Sequence, residues 1–442
     1  MLSCDTFVDD VTILTPGEDK KSSYSIAIQG KEILAVGPRH HFSEVNAVCK
    51  INGGGAICLP GLVNTHNHTP LMSVRGMVED LGFAPAYVPG VPQGHWLGDE
   101  ETFLLARLGL AELMMQGSTC VVDFYARPKP LAEAMKQSGL RGFVGGRIMD
   151  VDTASLAEGR FILDPELGEK TLEDSVALIE MWSECASHRV SCVLGPHAVD
   201  TCSPPLLRRV ADIANKKSLL VHSHLAQSKL EVQRVAHLYG KRGVEVLDEV
   251  GLLNDHLIVA HCIYLDKSEI NRIASSGSSV AHVPLGNATS GQIAPVMAMH
   301  TGGVRITLAT DTKSGDMFET MRNVIRLARI KSDGEFVLDA QTVFEWATVG
   351  GASALGLGDC LGKIKPGFKA DLIILDRKAP NLRPVVDGFG ILVYSAMGLN
   401  VKTVICDGEI LLNDGVPTTF DIEEVIYEAQ KVTNRLWERA RG

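Results

Sequence analysis

His66 and His68 stand two apart in "GLVNTHNHTP" (61–70), just after an apolar run ending in Leu59-Pro60. Residues two apart on a strand point the same way, so these imidazoles could close on one metal ion. Further along, "GPHAVDTCS" carries His197, "VHSHLAQS" carries His222 and His224, "VAHC" carries His261, and "LATD" ends on Asp311. Each lies at the end of a short β-branched run, where a lone histidine is ordinarily a core residue with its hydrogen bonds met. Four strand ends that supply imidazoles, with a carboxylate at a fifth, exceed what packing explains. Buried polar groups cost several kcal/mol each unless paired or liganded. Three histidines and an aspartate can hold one divalent cation and leave a position open for water, as a catalytic zinc requires. Water held there becomes a nucleophile near neutral pH, and an adjacent carboxylate can take its proton. Other catalytic arrangements are missing from the sequence: it has no G-x-S-x-G elbow, no phosphate loop with Gly-Lys-Ser/Thr, no H-E-x-x-H and no P-C-x-x-C.

The pattern around these residues says what must position them. Strands are predicted near 59–65, 118–124, 142–148, 190–196, 218–224, 257–262, 278–283 and 304–310, with helices over 101–116, 169–186, 204–215, 229–250, 266–276 and 316–331. Eight buried strands with helical crossovers over this length fit a closed parallel barrel, whose chemistry gathers at the C-terminal strand ends. An open doubly wound sheet would carry its ligand on a Gly-rich first turn. Neither "GLGDCLG" (356–362) nor Gly53-Gly54-Gly55 has that spacing. Both chain ends read as hairpins, "YSIAIQGKEILAVG" (24–37) about Gln29-Gly30 and "VKTVICDGEILLNDG" (401–415) about Asp407-Gly408. They are expected to pair into one small β domain, giving a β-sandwich first part at 1–58, a barrel at 59–367, and a second sandwich part with a C-terminal helix at 368–442. From Asp421 onward, Ile422, Val425, Ala429, Val432 and Leu436 form one stripe, expected to pack on the chain's own barrel.

Composition narrows the function classes. The 442 residues are 45% apolar and 21% charged, with a formal net charge of −11 and scattered basic residues. That balance argues against nucleic acid and anionic membranes as partners. No stretch reaches the roughly 20 apolar residues of a spanning helix. "MLSCDTFVDDV" lacks the basic start of a secretory signal, and the ten cysteines lack the spacing of a disulfide framework. The expected setting is a reducing cytoplasm.

"PGLVNTHNH", "GPHAVDTCS", "SHLAQSKLEV", "VAHCIYLD", "LATDTKSGDMFETMR" and "ATVGGASALGLGDCLGKIKPGFKADLIILD" resemble, in order, motifs of the amidohydrolase superfamily. The nearest group contains triazine hydrolases, S-adenosylhomocysteine deaminases and guanine-type deaminases, and the likeness runs from about residue 5 to 415. The resemblance implies an α/β fold, a (β/α)8 TIM barrel with a small β-sandwich built from both chain ends, and often a homodimer or higher homo-oligomer. It implies one divalent ion, zinc or iron, held by His66, His68, His224 and Asp311. Asp311 would then be the general base, and His261 would hydrogen-bond the attacking oxygen or polarise the substrate. His197 is expected to touch substrate rather than metal, His222 to be a supporting or core residue as readily as a functional one, and His95 and His282 to be structural or pocket-lining. The reaction implied is hydrolysis of a non-peptide C–N bond of a small molecule, foremost deamination of an amino-substituted nitrogen heterocycle.

One residue departs from the group. Its deaminases read H-L-A-E after the fifth strand, and the Glu protonates a ring nitrogen; this chain reads His224-Leu225-Ala226-Gln227. An amide can hold a ring or carbonyl but relays no proton. Gln227 therefore keeps an alternative open, hydrolysis of an amide, urea or cyclic amide, with chlorohydrolase action or a non-catalytic relative further off. Glu231 is expected to be a solvated helical carboxylate. The 79–98 segment also departs from the group's acidic, Trp-rich loop, and its prolines beside Gly90 would suit an ordered lid or a plain surface excursion.

Overall fold

The computed structural model describes residues 2–81, 90–92, 94–157, 160–183, 189–312, 314–332 and 338–441. At the N-terminus, β1 (Leu2–Ile13), β2 (Lys21–Gln29), β3 (Glu32–Pro38) and β4 (Val45–Pro60) build half of a mixed sheet. The barrel strands follow: β5 (Leu62–Asn67), β6 (Ser118–Tyr125), β7 (Arg141–Ile148), β8 (Val190–Cys192), β9 (Gly195–Pro196), β10 (Val221–Leu225), β11 (Leu257–His261), β12 (Ser279–His282) and β13 (Arg305–Leu308). The chain then returns through β14 (Leu372–Leu375), β15 (Val401–Cys406), β16 (Glu409–Asn413) and β17 (Val416–Pro417) to complete the sheet.

The expected joining of the two chain ends is found. The sheet runs β17-β16-β15-β14-β4-β1-β2-β3, with β14 antiparallel to the end of β4 through Leu372 and Pro60. It is one sheet curled on itself, because Ile33 N at the far edge donates to Phe368 O just before β14. Val8, Ile26, Ile28, Cys58, Leu372 and Ile405 meet in the enclosed core. The first hairpin turns one residue later than the sequence reading places it. Gln29 pairs with Glu32, so Gly30 and Lys31 make the turn, and Gly30 takes the positive φ of 57°.

The parallel ladder β5-β6-β7-β8 continues through β9, while β10-β11-β12-β13 forms a second. Bridges Leu194–Val221 and Asn67–Asp311 join the two ladders into a closed barrel. The predicted fourth strand is split into β8 and β9, and the fifth begins at Val221 because Ser218 is left-handed at φ 51°. Inward-facing Val63, Cys120, Val122, Ile258, Ala260 and Ala281 fill the barrel, and outward Val121, Val144, Val259 and Val280 pack under the helices. The expected helix over 229–250 is two, Lys229–Tyr239 and Gly243–Glu249, broken where Gly240 caps the first at φ 66°.

Sheet and barrel are locked together beneath the strands. The Arg141 guanidinium pairs with Asp371 at 3.0 Å and Asp407 at 2.8 Å, joining the start of β7 to the residue before β14 and to the turn between β15 and β16. The last helix, Ile422–Arg441, buries Val425, Ala429, Val432 and Leu436, with Ile422 half-buried, as the stripe predicts. Trp437 Nε1 donates to Ser73 O at 2.8 Å, and Arg439 reaches both Glu101 oxygens at 3.0 Å. The described cysteines are free thiols, and no described helix is long and apolar enough to cross a membrane.

Candidate metal centre

The C-terminal strand ends bring His66, His68, His224, His261 and Asp311 together. His66 Nε2 lies 3.7 Å and His68 Nε2 3.9 Å from Asp311 Oδ1, while His261 Nε2 lies 3.9 Å from Asp311 Oδ2. Ligand atoms of His66, His68 and His224 fall within 4.8 Å of one another, as do those of His66, His261 and Asp311.

Proton accounting decides whether these residues fit a cation. His68 Nδ1 must donate to Phe124 O at 2.8 Å, and His224 Nδ1 to His197 O at 2.6 Å, because a carbonyl only accepts. Burial, ahead of every other influence, pushes His66 and His224 well below the ordinary histidine range and lowers His68. The rings are therefore neutral, and the Nε2 atoms of His68 and His224, 3.1 Å apart, present lone pairs to each other. Two acceptors facing at that distance repel unless a cation lies between their lone pairs. His66 is fully buried with neither ring nitrogen hydrogen-bonded among the described residues. Neutral imidazoles with Nδ1–H fixed by carbonyls, beside a carboxylate, suit a zinc-type ion.

Two members of the cluster sit in strained backbone. His261 has φ 70° and Asp311 φ 63°, in the left-handed region that costs a non-glycine residue roughly 1–3 kcal/mol. The cost turns both side chains inward at the rim. His261 Nδ1 lies 3.0 Å from Asn287 Oδ1, which as placed accepts from it and leaves Nε2 facing Asp311.

The remaining predicted residues separate. His197 is buried above His224, its Nδ1 donating to Thr201 Oγ1 at 2.7 Å, since that hydroxyl gives its own proton to Ala198 O. His222 donates Nε2–H to Thr65 O at 2.8 Å and stacks on His66 at 4.8 Å between ring centres. Burial holds His222 and His282 down at about 3, so both rings are neutral. The His95 side chain, residues 82–89 and residue 93 lie outside the described residues, and with them most of the expected lid.

Glu231 is not the solvated carboxylate the sequence reading expects. It is 3% exposed, and its two oxygens accept from Ala226 N at 2.7 Å and Gln227 N at 2.8 Å. Burial, with Asp200 nearby, pushes its carboxyl up. Its task is to hold the strained Ala226, φ 50°, and so fix where Gln227 begins. Gln227 is half-buried, and its side-chain amide has no hydrogen bond among the described residues. Glu231→Gln sets an NH2 group against a buried N–H, and is expected to cost about 1–3 kcal/mol. Chemical denaturation of the metal-loaded protein checks this.

Several site residues escape the sequence reading. Asp123 ends up fully buried on β6, accepting from Thr69 N and Oγ1 directly after His68, and burial raises its carboxyl to about 7. Arg147 at the end of β7 is buried with its guanidinium 4.9 Å from the Tyr125 ring centre. A charged residue inside an otherwise apolar strand, as in "CVVDFY" and "FVGGRI", is the signal that could have found both.

An eight-stranded barrel with an imidazole and carboxylate cluster at its strand ends has the architecture of a metal-assisted hydrolase. The model of the Amidohydrolase family matches residues 57–411. The 5'-deoxyadenosine deaminase of Methanosarcina mazei is 32% identical over 449 residues, covering 99% of this chain and 100% of that protein. The 5-methylthioadenosine/S-adenosylhomocysteine deaminase of Pelotomaculum thermopropionicum is 31% identical, covering 94% of each. The zinc-bound crystal structure of an adenosine deaminase from Xanthomonas campestris superposes with a TM-score of 0.88 at 27% identity, covering 98% of this chain and 99% of that one. The chain belongs to the amidohydrolase family.

Proposed function

We propose that the protein is a zinc-dependent deaminase of adenine nucleosides altered at the 5' position, exchanging the ring's exocyclic amino group for oxygen with release of ammonia. The observation that carries this is the pairing of full-length similarity to deaminases of such nucleosides with the convergent lone pairs of His66, His68 and His224 opposite Asp311. In this mechanism those three histidines and Asp311 hold the ion, which when bound supplies the acidity that makes water a nucleophile near neutral pH.

Asp311 Oδ1 faces the histidines of β5 and Oδ2 faces His261, so one carboxylate serves both sides of the reacting centre. It takes the proton of the attacking water and returns it to the departing nitrogen. His261 hydrogen-bonds the attacking oxygen and steadies it at the ring carbon. His197 offers a neutral nitrogen to the substrate. The Gln227 amide donates a hydrogen bond to a ring nitrogen without transferring a proton, so Asp311 carries the proton traffic alone. Gln227 also favours a second reading, hydrolysis of an amide or urea carbonyl held by that amide.

Incubating the zinc-loaded protein with 5'-deoxyadenosine, 5'-methylthioadenosine, S-adenosylhomocysteine, aryl ureas and cyclic amides, with mass spectrometry of products, separates the two. Ammonia release with amino-to-oxygen exchange is the expected result. Fragmentation or ring opening of the ureas or amides, with every nucleoside untouched, would overturn it.

A further inference from the structure

The barrel closes where β5 meets β13, and there the backbone does little of the joining. β10 and β11 share five paired positions, whereas among the described residues β5 and β13 meet at the single bridge of Asn67 with Asp311, with Asp311 N donating to His66 O at 3.0 Å. Side chains do the rest. Low in the seam, Thr65 Oγ1 lies 2.6 Å from Thr307 Oγ1 and donates to Leu308 O at 3.0 Å. At the rim, Thr310 N donates to Asn64 Oδ1 at 3.2 Å, Asn64 Nδ2 donates to Thr310 Oγ1 at 2.8 Å, and that hydroxyl donates to Asn67 Oδ1 at 3.0 Å. Asn64, Asn67 and Thr310 are all fully buried.

As placed, the Thr310 hydroxyl accepts from Asn64 and donates to Asn67, whose own Nδ2 makes no hydrogen bond among the described residues, and only a hydroxyl can accept from one amide while donating to the next. Asn67 lies between His66 and His68, and Thr310 directly precedes Asp311. We propose that Thr310, clasped between Asn64 and Asn67, is the positioning residue that sets the Asp311 carboxylate against the two histidines of the first strand. A non-glycine residue at φ 63° persists only where its surroundings over-determine it, and the clasp supplies that constraint one residue away. The inference rests on reading His66, His68, His224 and Asp311 as the ligands.

Cobalt(II) titrated into metal-stripped protein, followed by visible absorption and chelator competition, reads the site without turnover. Wild type is expected to give a spectrum that His224→Ala abolishes. Thr310→Val, which keeps the shape and drops the hydroxyl, is expected to weaken cobalt affinity about ten- to hundredfold and alter the spectrum, as loss of a ligand's supporting hydrogen bond does elsewhere. Thr310→Ser should restore both. Thr307→Val, a lost hydroxyl lower in the same seam, should leave both intact. Wild-type behaviour of Thr310→Val, equal damage in Thr307→Val, or no rescue by serine overturns the proposal. Absence of any His224-dependent spectrum in wild type overturns the ligand reading first, and this inference with it. If Thr310→Val does not fold, Asn67→Ala removes the acceptor between the two histidines. It is expected to show the same weakening, and unchanged binding there also overturns the idea.

Discussion

Replacing Asp311 by Asn is expected to abolish turnover and to lower the zinc content of the purified protein. The two effects have one origin, the loss of a carboxylate whose oxygens face His66 and His68 on one side and His261 on the other. An amide takes no proton, which removes a step worth about 10²–10⁴ in rate, and it neutralises the anionic member of the donor set. Asn is also the informative choice sterically. Asp311 has φ 63°, and asparagine tolerates the left-handed region better than other non-glycine residues, so the backbone need not move. Ammonia release, elemental analysis and thermal denaturation on one preparation check the result. Turnover within tenfold of wild type would remove Asp311 from the chemistry, whatever the zinc content.

Much of this centre was legible from the sequence because strand ends at a barrel rim are few and their side chains unusual. His66, His68, His224, His261 and Asp311 each close a short β-branched run, and a parallel barrel brings every such end to one face. The supporting residues were harder to see. Glu231 carries the spacing of a solvated helix residue, yet Ala226 and Gln227 turn their N–H groups back onto it, a contact that depends on the left-handed φ of Ala226. Asn287 lies on the short helix Pro284–Thr289 and reaches the His261 ring, and Thr310, next to Asp311, is held by Asn64 and Asn67 far from it in sequence. Periodicity reports which face a residue shares, and none of these partners lies on the same face of the same element. The helix boundary at Gly240 was missed for a related reason: the apolar pattern continues on both sides, and only the glycine's positive φ separates the two helices.

Gln227→Glu is expected to raise kcat/KM on the preferred adenine nucleoside by about 10²-fold or more, the lower end of what a positioned proton donor contributes. Gln227 starts from a main chain pinned by Glu231, and its side-chain amide makes no hydrogen bond among the described residues, so a glutamate of the same length can adopt the same path. In the mechanism proposed above, the wild-type amide holds a ring nitrogen without protonating it, and Asp311 serves both water and leaving group. A carboxylic acid at 227 would divide that labour, protonating the ring as the water is activated. The gain should depend on pH, declining as the new carboxyl loses its proton, and a profile of kcat/KM for both proteins reads this directly. A variant that loses nucleoside deamination and gains nothing would show the opposite design. The amide would then be the group that orients the substrate, a second carboxylate beside Asp311 would only add a repulsive charge, and the native substrate would be one whose polarised carbon needs no ring proton.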